Sequence, residues 1–249
     1  MASTVDLTQY LDRLLNAEAI NDYCPNGLQV EGKPTVDRAA VAVSASLATV
    51  EAAAEAGMDA LIVHHGYFWR GEDPRVIGPQ RRRLAALLGA GVNLIAYHLP
   101  LDLHPEIGNN ATFGAAMGWK LAGTGGDRGL VAYADLEHAI DASALQGSLS
   151  SVLKRAPLLV GDLSRPLRRI AWCTGAAQDM LATAVALGAD AFVSGEISER
   201  TTHQARELGV VYACAGHHAT ERYGVQALAV RIEADLGIPM RFIEDPNPV

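Results

Sequence analysis

The chain has 249 residues, 49% hydrophobic and 19% charged, which supplies apolar cores for one large domain or two ordinary ones. A net charge of −8 with only 20 Lys and Arg argues against a nucleic-acid backbone as the main partner, because such binders carry a basic face. No apolar run approaches the roughly 18 residues of a membrane span, and Cys24, Cys173 and Cys214 form no CxxC pair. No membrane partner and no disulfide framework are therefore expected, and a cytoplasmic location is.

In chain order, MASTVDLTQYLDRLL carries acids and reads as an amphipathic helix, not a signal peptide. Strands follow over 39–43 and 60–63 with a helix over 48–56 between them; a helix over 81–90 and a strand over 92–97 complete a βαβαβ pass. Residues 121–168 read as less regular, with 123–129 a turn and linker. The order then returns: strand 170–173, helix 179–187, strand 191–194, helix 203–208, strand 210–214. This alternation predicts an α/β fold with largely parallel, buried sheets.

The two passes share more than their order. Arg38 to Gly57 spans 19 positions, and so does Arg169 to Gly188. Each glycine is followed two residues later by Asp-Ala, at Asp59-Ala60 and Asp190-Ala191, and each pass reaches a Gly-Val strand start. The expected architecture is thus an internal duplication: two related α/β halves over 1–122 and 123–249, with a C-terminal strand packing back on the first half.

Ligands of open α/β sheets collect at the carboxyl ends of parallel strands. Here those ends carry His64-His65, His98-x-x-x-Asp102, Glu196, and His217-His218 with Glu221. Imidazoles with carboxylates suit two divalent ions, Zn, Fe, Mn, Co or Ni, which this donor set does not distinguish. One residue of this kind is more often structural; their joint occurrence at equivalent strand ends points to metal. His217 and Glu221, at i and i+4, share a helix face, and a carboxylate there can bridge ions about 3.5–4 Å apart. His98, Glu196 and His203 are proton-transfer or pocket candidates. Tyr67-Phe68-Trp69 reads first as packing, with a stacking wall as the alternative, and Arg81-Arg82-Arg83 as a solvated helix start, with a phosphate contact as the alternative.

The strings IVHHGYFWRGE, YHLPLDLHPEIGNNA, SGEISERTTHQARE and AGHHATERYG, with DYCPNGLQVEG and FIEDPNPV at the two ends, resemble the NIF-three-like family, the GTP cyclohydrolase 1 type 2 homologues, in its short bacterial form. The resemblance implies the NIF-three-like fold with a two-metal centre between the halves, and a toroidal homohexamer. It implies His64, His65, Asp102, His217 and Glu221 as ligands, Glu221 as the bridge, and His98 lining or completing the site. Three functional readings stay open on the sequence: a metal-dependent hydrolase of a nucleotide-like small molecule, which is preferred, a non-enzymatic metal-binding or metallocofactor-handling protein, and an assembly or partner-binding protein whose metals are structural.

Overall fold

A computed structural model describes residues 2–249. They form two compact units: residues up to Ile107 together with Val225–Pro246, and Gly108–Gly224 together with Asn247–Val249.

In the first unit, β1 (Ala2–Ser3) leads into α1 (Thr4–Leu15), whose first turn is capped by Ser3 accepting the Asp6 amide at 3.0 Å. There follow β2 (Gly27–Val30), β3 (Thr35–Val36), β4 (Ala39–Ser44), α2 (Leu47–Glu55), β5 (Ala60–His65), α3 (Gly78–Ala90), β6 (Asn93–Ala96) and α4 (Leu99–Leu103). The second unit holds α5 (Asn109–Ala116), β7 (Gly123–Gly125), β8 (Val131–Ile140), α6 (Ala142–Leu153), β9 (Leu158–Gly161), β10 (Leu167–Cys173), α7 (Leu181–Ala186), β11 (Ala191–Ser194), α8 (Glu199–Glu207) and β12 (Val211–Cys214). The boundary between the units then falls within α9 (His217–Leu236), and β13 (Met240–Phe242) belongs to the first unit.

The first unit's sheet has the order β13-β4-β5-β6-β2, parallel except for the antiparallel edge strand β2. Strand parity sorts its core. Val41, Val43, Ile62 and Ile95 face Leu7, Leu11 and Leu15 of α1 and Val225, Leu228 and Ile232 of α9. Ala40, Ala42, Leu61, Val63 and Leu94 face the opposite way, onto Val50 and Ala53 of α2 and Leu87 of α3. Strands buried on both faces read as unbroken apolar runs, which is why they were legible.

The second sheet has the order β7-β8-β10-β11-β12-β9, with β10, β11 and β12 parallel and antiparallel strands flanking them on both sides. One face packs Ile170, Trp172, Val193 and Val211 against Leu145, Leu149 and Leu153 of α6. The span 121–168, read from sequence as less regular, contains β7, β8, α6 and β9. Strand β8 is half exposed beyond Ala134 and shows no clean alternation. Helix α6 carries one Gly and four Ser among its buried Ala142, Leu145, Leu149 and Leu153, so its polar small residues hide a helical spacing.

The duplication is borne out at the level of single atoms. In the first unit the Asp59 amide donates to the Arg38 carbonyl (3.0 Å), while Asp59 Oδ2 accepts the amides of Asp37 and Arg38 at 3.0 and 3.2 Å. In the second, the Asp190 amide donates to the Arg169 carbonyl (2.9 Å), and Asp190 Oδ2 accepts the amides of Arg168 and Arg169 at 2.8 and 3.0 Å. The remaining oxygen meets a cation in each case, Lys33 at 2.6 Å and Arg165 at 2.7 Å. Each aspartate therefore staples the start of its first parallel strand to the start of the next. Burial raises both carboxyl pKa values, but these donors outweigh it and hold both below the usual range.

Candidate metal centre

In the first unit β5 ends on His64 and His65. These are its last two residues, not residues past its end as the sequence reading placed them: Ser44 still pairs with His65 across β4, whereas pairing with β6 stops at Val63. With the sheet open on that side, the two rings approach to 4.4 Å between centroids. His98, the residue before α4, brings a third ring 5.0 Å from His64 and 5.8 Å from His65. Each of the three imidazoles offers a ligand atom within 4.8 Å of the others.

All three are oriented through Nδ1. His64, fully buried, donates Nδ1–H to the Tyr97 carbonyl at 3.1 Å, so its lone pair lies on Nε2, 3.5 Å from Asp102 Oδ1. His65 Nδ1 meets Ser44 Oγ at 3.0 Å, and His98 Nδ1 meets Asp22 Oδ1 at 2.8 Å. Partners on the far nitrogen that fix tautomer and ring angle are the usual support of metal-binding histidines. Asp22 also accepts the Leu99 amide and the Asn26 side-chain N–H, and Asn26 accepts the His98 amide. Burial raises the Asp22 carboxyl pKa, but His98, Asn26 and the Tyr23 amide outweigh it and bring it down to about 2.

In the second unit, α9 opens at His217. Its Nδ1 lies 2.7 Å from Glu196 Oε1 and its Nε2 3.0 Å from Glu221 Oε2. Glu221 is buried, only 3% exposed. Burial lowers the His217 pKa, but Glu221 first and Glu196 second raise it to about 9, so in the absence of a metal a proton is held between two carboxylates. Space around Glu221 is kept by Gly175, where φ is +71° and a Cβ would stand 2.1 Å from Glu221 Oε1. A donor set that binds a proton this firmly, with no side chain intruding, suits a divalent cation.

Each predicted residue has thus been placed. His64, His65, His98 and Asp102 gather in the first unit, and His217, Glu196 and Glu221 in the second. His203 joins neither group: it lies on the exposed face of α8, 3.2 Å from Glu199 one turn earlier. Asp22, Asn26, Ser44 and Gly175 were not singled out from sequence. Asp22 and Asn26 lie in the string DYCPNG, where an Asx residue before a turn was the available signal.

The model of the Duf34/NIF3 (NGG1p interacting factor 3) family matches residues 2–248. The chain belongs to the DUF34/NIF3 family. A relative in Pseudomonas aeruginosa, named GTP cyclohydrolase 1 type 2 homolog, is 49% identical over 245 residues, 97% of each chain. One of the same name in Escherichia coli K12 is 45% identical over 244 residues, 98% of each. Among solved structures, protein ybgI superposes with a TM-score of 0.96 at 44% identity, covering 99% of this chain and 100% of that one. TTHA1606 from Thermus thermophilus gives 0.91 at 34%, with the same coverage. Reduced HcgD from Methanocaldococcus jannaschii, at 19% identity and TM-score 0.85, shares the DUF34/NIF3 fold. Among the described residues, no helix is long and apolar enough to cross a membrane.

Proposed function

We propose that this DUF34/NIF3 protein binds two divalent metal ions per chain through His64, His65, Asp102, His217 and Glu221, and uses them to hydrolyse a nucleotide-like small molecule. The observation that carries the reading is the orientation of His64. Its Nδ1–H is committed to a backbone carbonyl, and its fully buried Nε2 is turned toward a carboxylate within a cluster of three imidazoles. The proton held by His217 between Glu196 and Glu221 supports it from the second unit. The relatives' name, GTP cyclohydrolase 1 type 2 homolog, supports a nucleotide-like substrate.

When bound, the ions would supply Lewis-acid polarisation and acidify water. The chain's own residues do the rest. Asp22 fixes His98 through Nδ1, so His98 Nε2 is the atom able to take or return a proton. Glu196 orients His217, and Ser44 orients His65. A ring of six copies is proposed on the family resemblance, and analytical ultracentrifugation of the purified protein tests it.

Metal analysis of the purified protein, beside His65→Ala and Glu221→Gln, tests the shared centre. Two ions per chain are expected in the parent, and fewer than one in either variant. Loss of only one ion in each would instead mean two separate sites. Turnover of a nucleotide and phosphoester panel by metal-loaded protein, against Asp102→Ala, tests hydrolysis. Full metal content with no substrate turned over would replace the hydrolase by a metal-handling role.

A further inference from the structure

Directly after His64-His65 the chain forms one wall of a cavity of about 330 Å³ within the first unit. Its lining includes Gly66, Tyr67, Trp69, Arg75, Gln80 and Arg83. Trp69 is common to this cavity and the imidazole cluster: its ring stands edge-on to His98 at 4.9 Å and lies 6.1 Å from His65. Its Nε1–H is tied to the Gly66 carbonyl at 3.2 Å, which fixes the indole in place. Phe68, between the lining residues Tyr67 and Trp69, has φ of +64°, a left-handed conformation that is strained for a bulky side chain and is concentrated at functional sites.

The charges of the cavity are unequal in their partners. Glu72, also in the lining, accepts the Trp69 amide at 3.3 Å, and Asp73 is engaged by Arg75 through both carboxylate oxygens. Arg83 has no such match. Its guanidinium lies over the Tyr67 ring at 5.7 Å, and its Nε is sealed from solvent with no acceptor among the described residues. The sealed Nε cannot itself reach a ligand; Arg83 lines the cavity with its two Nη groups, through which a guanidinium can hold an oxyanion in two parallel hydrogen bonds.

We infer that this cavity is the substrate's oxyanion subsite. Arg83 would hold a phosphate group of a nucleoside phosphate, and Trp69 would offer a stacking face beside the metal-binding histidines. This rests on the hydrolase reading above and names the part of the substrate that the reading leaves open. It selects the phosphate-contact alternative for Arg83 and the stacking alternative for Trp69.

The test is made on chelator-treated protein, so that metals contribute nothing to binding. Affinities for pyrophosphate, GTP and unphosphorylated guanosine are measured by calorimetry for the parent, Arg83→Gln and Arg83→Lys. Arg83→Gln is expected to weaken pyrophosphate and GTP at least tenfold and to leave guanosine unchanged. Arg83→Lys, which keeps the charge and loses the fork, should fall between them. Equal affinities for pyrophosphate in all three proteins would overturn the assignment, and so would an equal loss for guanosine. Metal content of Arg83→Gln, expected at the parent's level, separates failure of this subsite from failure of the metal centre.

Discussion

At the scale of single residues, Asp22 ties together several parts of the imidazole cluster. Its two oxygens serve His98, Leu99 and Asn26. Replacing it by Ala leaves three part-buried donors without their acceptor, for an expected loss of about 2 kcal/mol, read as a fall in chemical-denaturation midpoint. The same carboxylate has a signature in acid. Its folded pKa, about 2, lies below the ordinary 3.8, so the unfolded chain binds the proton more readily. The contribution is complete above pH 4 and is lost as the pH falls toward 2, amounting to about 2 kcal/mol. Stability measured across that window should decline less steeply in Asp22→Asn; an unchanged slope would show that the acid sensitivity comes from elsewhere. Gly175→Ala should abolish metal binding through the second unit, since its Cβ would stand 2.1 Å from Glu221 Oε1. Full metal content in that variant would mean that Glu221 is no ligand. The metal-binding side chains could be proposed from sequence because His and acids at strand ends are chemically conspicuous. Asp22 and Gly175 could not, because a carboxylate that holds a ring and a glycine that makes room look the same in sequence as any loop residue.

At the scale of elements, the two aspartate staples explain why the duplication was visible at all. Arg38, Gly57 and Asp59 recur at the spacing of Arg169, Gly188 and Asp190 because one short circuit of hydrogen bonds requires them. Both helices run out at a glycine, with φ of +66° and +82°, before the chain returns to the next strand through the Asp amide. Asp59→Ala should raise the hydrogen-exchange rate of the Asp37 and Arg38 amides by tenfold or more and leave Arg168 and Arg169 protected. Asp190→Ala should do the reverse. Uniform loss of protection in either variant would show that the staples do not act locally. The antiparallel strands β2, β8 and β9 were missed for a related reason. None has a counterpart in the parallel core of the other unit; β2 and β8 are interrupted by polar, part-exposed residues, and β9 is apolar but only four residues long and part-exposed.

At the scale of the whole molecule, metal binding and folding should be linked, because the proposed ligands come from separate stretches of the chain that an unfolded protein does not hold together. A ligand at 100 times its dissociation constant adds about 2.7 kcal/mol to stability when it binds only the native state. For a chain of this size each kcal/mol moves the melting temperature by roughly 2–4 °C. Restoring zinc or manganese to chelator-treated protein should therefore raise Tm by roughly 5–10 °C. His65→Ala and Glu221→Gln act on ligands in different units, yet each should reduce the rise to a small fraction if the ions are held jointly. Were the rise to survive in full in both variants, the added stability would come from metal bound at some other place. Were it lost in one variant and kept in the other, the ligands of a single unit would suffice, and the two-metal centre would reduce to a site within that unit.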